Sequence, residues 1–153
     1  MGSPTFDLHV LNSNDLAWMR ELNAVFGRAF NEVETYCAEP PDDGYLTAFL
    51  SSRHNVVIVA VERGLVIGGL VAYELEKFER RRSEFYIYDL AVDAPHRRRG
   101  VARARIGHLQ KIAGVRRGWV VFVQADCGDE AAIALYQNFG APEDVLQFDI
   151  PPA

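Results

Sequence analysis

Long apolar runs, paired histidines and closely spaced cysteines are all missing from this chain, and each absence removes a class of function. No hydrophobic stretch approaches the length of a bilayer span, so no membrane partner is expected. The N-terminus has no charged segment followed by an apolar one, as a secretory signal requires. Met1-Gly2 would suit N-myristoylation, but Phe6 stands where that motif needs serine or threonine. The expected address is the cytoplasm. The two cysteines, Cys37 and Cys127, lie far apart without metal-ligand spacing and are expected to be free thiols of a reducing compartment. His9, His54, His96 and His108 are scattered, so no metal site is expected. There is no internal repeat, low-complexity tract or linker. With 153 residues, 49% of them hydrophobic, residues 1–153 are expected to form one domain with a full core of its own.

Basic residues are missing from two segments, although the net charge is only −5. Between Asn31 and Asp43 the chain carries Glu32, Glu34, Glu39, Asp42 and Asp43 with no lysine or arginine. After Arg117 come Asp126, Asp129, Glu130, Glu143, Asp144 and Asp149, again with no basic residue. Such runs either solvate a surface or line a cleft whose field draws in a cation.

Hydrophobic periodicity gives the elements. Thr5–Leu11 alternates as a strand. Asn12 is placed to cap a helix carrying Leu16, Met19, Leu22 or Asn23, Phe26 and Phe30 at helical spacing. The acidic segment with Pro40-Pro41 is expected to break regular structure. Asp42 or Asp43 then caps a second helix with Tyr45, Leu46, Phe49 and Leu50 inside. Val56–Glu62 and Leu65–Leu75 form a hairpin through Arg63-Gly64, and Gly68-Gly69 within its second arm predicts a bulge or a close backbone approach. Glu76–Arg82 is a charged loop, and Glu84–Val92 the next strand. Val101, Arg105, Ile106, Leu109 and Ile112 mark a third helix, ending near Arg116-Arg117-Gly118. Trp119–Ala125 is a strand, Asp129–Phe139 a fourth helix and Val145–Ile150 a final strand. This order predicts an α/β domain on a mixed sheet with about four helices.

The segment Glu84–Ala102 carries the strongest chemical signal. A strand runs to Val92, a short loop with Pro95 follows, and Arg97-Arg98-Arg99-Gly100-Val101-Ala102 opens the third helix. Helix starts expose unpaired N–H groups at the positive end of the helix dipole. Gly100 and Ala102 let a ligand approach the main chain, and three arginines add charge, so the construction suits a diphosphate.

This segment and the order of elements resemble the GNAT acetyltransferases, whose pyrophosphate loop is Q/R-x-x-G-x-G/A. Asp129, Ala132, Leu135 and Tyr136 fit the family's N-x-x-A-x-x-L-Y helix, and Phe139-Gly140 its "FG" end. Within the family, Tyr86–Val92, His96–Gly100, Val123–Asp129, Ala134–Tyr136, Phe26–Phe30, Lys77–Glu79 and Phe148–Ile150 look like aminoglycoside 3-N-acetyltransferases of the gentamicin type. The likeness covers nearly the whole chain. It implies the GNAT fold and acetyl-CoA as donor. It further implies acetyl transfer to the 3-amino group of aminoglycosides such as gentamicin, by direct attack of the amine on the thioester, which confers resistance. Amides around Arg97, Arg98, Arg99, Gly100, Val101 and Ala102 are then expected to hold the pyrophosphate, and Leu90, Ala91 and Val92 to pair with the pantetheine arm. GNAT enzymes are often dimers, and the C-terminal strand is a candidate for pairing across such an interface.

Asp89 is the candidate general base, because the attacking amine must be neutral and a nearby carboxylate can take its proton, directly or through water. The competing reading is a structural carboxylate bonded to nearby main chain. Strand alternation sets Glu84, Tyr86 and Tyr88 opposite Asp89 unless a bulge intervenes. The family carries a bulge in this strand, so either set can reach the acceptor. Tyr136 matches the family tyrosine that protonates the departing thiolate, and it is equally placed for a core tyrosine. Asp129 departs from the family's usual asparagine. It either caps its helix or faces the cationic acceptor, and Asp126 and Glu130 share that ambiguity. Competing assignments are a polyamine or protein-amine acetyltransferase and a silent acyl-CoA-binding module. Nucleic acid is disfavoured as a partner by the net acidity.

Overall fold

The computed structural model describes residues 5–153, and the Met1-Gly2 start weighed above lies outside them. The elements are β1 (Asp7–Val10), α1 (Leu16–Ala29), α2 (Val33–Cys37), α3 (Asp43–Ser51), β2 (Asn55–Glu62), β3 (Leu65–Glu76), β4 (Ser83–Val92), α4 (Val101–Val115), β5 (Gly118–Val123) and α5 (Glu130–Tyr136). They build a mixed sheet in the order β1-β2-β3-β4-β5, as expected of an α/β domain. The first four strands are antiparallel neighbours, and β5 lies parallel to β4 after the α4 crossover.

The run Val56–Val61 is apolar at every position because both of its faces are covered. Val57, Val59 and Val61 pack with Met19, Leu22, Val25 and Phe26 of α1 and Leu46 and Leu50 of α3. Val56 and Ile58 face the other way, onto Ile106, Leu109 and Ala113 of α4, together with Leu70, Phe85 and Ile87. Each such side chain, fully buried, contributes about 1.5–3 kcal/mol. Gly68-Gly69 meets the close approach expected of it on both faces. A Cβ on Gly69 would lie 2.1 Å from Leu22 Cδ1, and one on Gly68 would lie 2.7 Å from the Ala91 carbonyl oxygen and 3.0 Å from Arg105 Nη1. A register shift between Ala60 and Val61 sits beside the pair.

Several expectations are corrected. The acidic segment holds a short helix, α2, before Pro40-Pro41 stops regular structure, and the described residues form five α-helices. Asn12 does not cap α1: its N–H donates to Asp15 Oδ2 at 2.8 Å, and the helix starts at Leu16. Asp42 does cap α3, accepting from the Tyr45 N–H at 2.8 Å, but Tyr45 is 65% exposed rather than inside. Val145–Ile150 forms no strand. Every residue of 140–153 is exposed, and nothing within the described chain pairs with this segment. Among the described residues no helix is long and apolar enough to cross a membrane.

Candidate active site

The sheet splits where β4 and β5 part. Their pairing runs from Ser83↔Gly118 to Ile87↔Val123 and stops, so Tyr88–Val92 keeps β3 on one side and has an open edge on the other. The Asp93 N–H bonds to Ile67 O of β3 at 2.9 Å. Alternation then turns the main chain of Ala91 toward β3 and that of Leu90 and Val92 toward the gap. The Ala91 carbonyl accepts from Arg105 Nη1 at 2.9 Å, and that of Val92 accepts from Arg97 Nε at 3.1 Å.

At the end of this gap stands the start of α4. Gly100 is its N-cap residue at φ 77°, a left-handed conformation that glycine adopts without strain, and a Cβ there would meet nothing within 4 Å. Arg98 is also left-handed, at φ 62°. The N–H groups of Val101, Ala102 and Arg103, in the first turn, have no partner inside the helix. The open approach, the free amides and the exposed arginines fit a diphosphate. The three arginines differ, however. Arg99 is tied to Glu62 and Thr5, and its Nη1 lies 3.0 Å from His96 Nδ1. Arg97 is bonded to its own strand, and the Arg98 side chain makes no hydrogen bond among the described residues.

Asp89 lies at the mouth of the gap, and a bulge decides its neighbours. Val71 pairs with Asp89 and Ala72 with Ile87, leaving Tyr88 as the extra residue. The bulge resets the alternation, so Tyr86, Tyr88 and Asp89 share the face of Val71 and Tyr73, and Glu84 lies on that face as well. Tyr88 meets Tyr73 and Tyr86 edge-on, with ring centroids 5.9 and 5.5 Å apart, while Tyr86 stacks on Phe122 at 4.7 Å. The Tyr86 hydroxyl donates to Gln124 Oε1 at 2.7 Å. The wall beside Asp89 is therefore aromatic.

Tyr36 of α2, a residue the sequence reading passed over, donates its hydroxyl to Asp89 Oδ1 at 2.7 Å. Burial raises the Asp89 pKa above the ordinary carboxylate value; the Tyr36 hydrogen bond pulls it back, and the charge of Glu32 adds to the rise. Burial and the same bond push the Tyr36 hydroxyl upward, so it stays a donor.

On the other face, Tyr136 is half-buried against the α4 core. Burial raises its pKa first, the charge of Asp129 adds, and the charge of Arg105 opposes. Arg105 is wholly buried, with Nε on Val101 O at 3.2 Å, Nη1 on Ala91 O, and Nη2 without a partner among the described residues. Burial lowers its pKa to about 9, so it remains a cation at neutral pH. Asp129 caps α5, accepting from the Ala132 N–H at 3.0 Å, which settles its local role; Asp126 and Glu130 are exposed beside it. Both acidic runs thus reach the site, through Glu32 toward Asp89 and through Asp129 toward Tyr136.

Residues 17–141 match the Acetyltransferase (GNAT) family. The chain belongs to the GNAT acetyltransferase family. Among solved GNAT structures it is similar to aminoglycoside acetyltransferase HMB0005 from an uncultured soil metagenomic sample. Identity to that protein is 49%, with a TM-score of 0.94, over 97% of this chain and 99% of that one. It is also similar to aminoglycoside acetyltransferase meta-AAC0020, likewise from soil, in complex with sisomicin; identity is 29% and the TM-score 0.89, over 97% of each chain. A curated relative, N-acetyltransferase family 8 member 3 of Rattus norvegicus, is 28% identical over 92 residues. That match spans 60% of this chain and only 40% of the rat protein. GNAT acetyltransferases in general take their acetyl group from acetyl-CoA. The open glycine start of α4 and the unpaired edge of β4 fit such a donor.

Proposed function

We propose that this GNAT protein transfers acetyl from acetyl-CoA to the 3-amino group of aminoglycosides of the gentamicin type. The observation that carries the reading is Asp89, a carboxylate of raised pKa held by Tyr36 among tyrosines where the sheet opens. The likeness to two aminoglycoside acetyltransferases supports the substrate class.

Acetyl-CoA would supply an acetyl group activated as a thioester. The amides of Arg98 to Ala102 bind its pyrophosphate, Arg98 offers a free cation, and Leu90 and Val92 present main-chain groups to its pantetheine arm. Asp89 takes the proton from the acceptor ammonium, directly or through one water, and general-base help of this kind contributes about 10²- to 10⁴-fold. Tyr136 holds a proton at its hydroxyl for the departing sulfur. Its share is modest, because a thiol of ordinary pKa leaves readily as thiolate. Glu84, Asp126 and Glu130 bind further ammonium groups, and Tyr86 and Tyr88 supply flat surfaces for the sugar frame. Charge-assisted hydrogen bonds then select the amine that meets Asp89.

Asp89→Asn separates acceptor chemistry from donor binding. The variant should lose at least about tenfold in kcat/KM for gentamicin, with acetyl-CoA affinity by calorimetry unchanged. Near-normal turnover would remove Asp89 from catalysis.

A further inference from the structure

The loop between β4 and α4 enters the left-handed region twice, at Arg98 (φ 62°) and at Gly100 (φ 77°). Glycine does so without strain. In Arg98 the Cβ crowds the backbone, and such a residue keeps its conformation only where its surroundings hold it. The residue between the two is Arg99, whose side chain reaches to Glu62, the last residue of β2. The contact is a fork: Nη1 donates to Glu62 Oε2 at 3.2 Å and Nη2 to Oε1, and Nη2 also donates to the Thr5 hydroxyl. His96, earlier in the same loop, sets Nδ1 3.3 Å from Glu62 Oε2 and 3.0 Å from Arg99 Nη1. The bonds from Arg99 and Thr5 lower the Glu62 pKa to about 2, so it is an anion at neutral pH. The start of the loop is fixed separately, by Arg28 Nη2 of α1 donating to Asp93 Oδ2 at 2.8 Å.

We propose that Glu62 is a positioning residue for the donor: through Arg99 and His96 it holds this loop in the shape that offers the amides of Arg98 to Ala102 to a diphosphate. The inference rests on the donor site argued above and divides the labour within it. Arg99 gives its main-chain N–H to the ligand and its guanidinium to Glu62, which leaves Arg98 as the free cation. A guanidinium forked onto a carboxylate is strong and directional, as a tether must be. Without it the strained loop populates its binding shape for part of the time only, and apparent affinity falls by that fraction. The opposite arrangement, with Glu62 competing against phosphate for Arg99, predicts the opposite sign.

Calorimetric titration of acetyl-CoA into the full chain, Glu62→Gln, Arg99→Gln and the double variant tests the tether. Each single variant should bind about tenfold more weakly. The double variant should be no weaker than either, because both changes remove the same contact. Titration with 3′-dephospho-CoA should give the same ratios, since the loop amides meet the diphosphate. Tighter binding in Glu62→Gln would overturn the proposal and make Glu62 a competitor. Losses that add in the double variant, or that vanish with 3′-dephospho-CoA, would overturn it by making the Arg99 side chain a direct phosphate ligand. Lower stability in urea with unchanged acetyl-CoA affinity would also overturn it, leaving a structural pair. A parent chain that binds neither nucleotide would overturn the donor site itself and the tether with it.

Discussion

A carboxylate half-buried among tyrosines is costly unless a donor holds it, and the Tyr36 hydroxyl does so for Asp89 at 2.7 Å. The bond has a directional consequence. Burial raises the Asp89 pKa and Tyr36 lowers it, so Tyr36→Phe should raise it further. A base works only when ionised, so the acid limb of the kcat/KM profile should move to higher pH in Tyr36→Phe, with acetyl-CoA affinity unchanged. The limb staying in place would mean that Tyr36 merely packs. Asp89 itself was legible in the sequence, as a charge interrupting an aromatic strand. Tyr36 was not, because it lies in an acidic stretch of five helical residues with no apolar periodicity, and only the fold brings it 53 positions along the chain to Asp89. The shared face of Tyr86, Tyr88 and Asp89 was left open for a related reason. A bulge reverses strand alternation, and no residue type in YIYDLAV marks its place.

Among the elements, α4 shows how packing and site are coupled. Its N-terminus was readable from arginines and a glycine between a strand and an apolar-periodic helix. Arg105 was readable only as a position on the inner face. In the folded chain its guanidinium sits where Gly68 leaves room, bonded to two main-chain carbonyls and, among the described residues, lacking a carboxylate partner. A buried cation of this kind costs stability, and replacing it with an apolar side chain of similar length leaves neither carbonyl stranded, since Val101 O also serves the helix and the Ala91 main chain faces β3 in the ladder. Arg105→Met should therefore hold or raise stability, by about 1 kcal/mol or more, in urea unfolding. Tyr136 should lose the charge that holds its pKa down, moving the basic limb of activity upward. Marked destabilisation would show that the cation has a partner beyond these carbonyls. The final strand was misread for a different reason: Val145–Ile150 alternates, but alternation makes a strand only when a neighbour pairs with it, and among the described residues none does.

For the whole molecule, a mixed sheet splits after Ile87 and Val123, with the start of α4 at one end of the gap and an aromatic, carboxylate-bearing wall at its mouth. Most of this was legible. The hairpin, the crossover and the glycine turn are local patterns, whereas the meeting of two acidic runs around one gap depends on contacts distant in sequence. The proposed polycationic acceptor is favoured over a single amine by negative charge beside both candidate groups, that of Glu32 acting on Asp89 and that of Asp129 on Tyr136. The most direct measurement is thiol release from acetyl-CoA by the purified protein across gentamicin, sisomicin, spermidine and a peptide amine, with the acetylated position read by NMR. Gentamicin and sisomicin should react far faster than the other two and carry the acetyl group on the 3-amino nitrogen. Equal or reversed rates, or acetylation at another amine, would contradict this account.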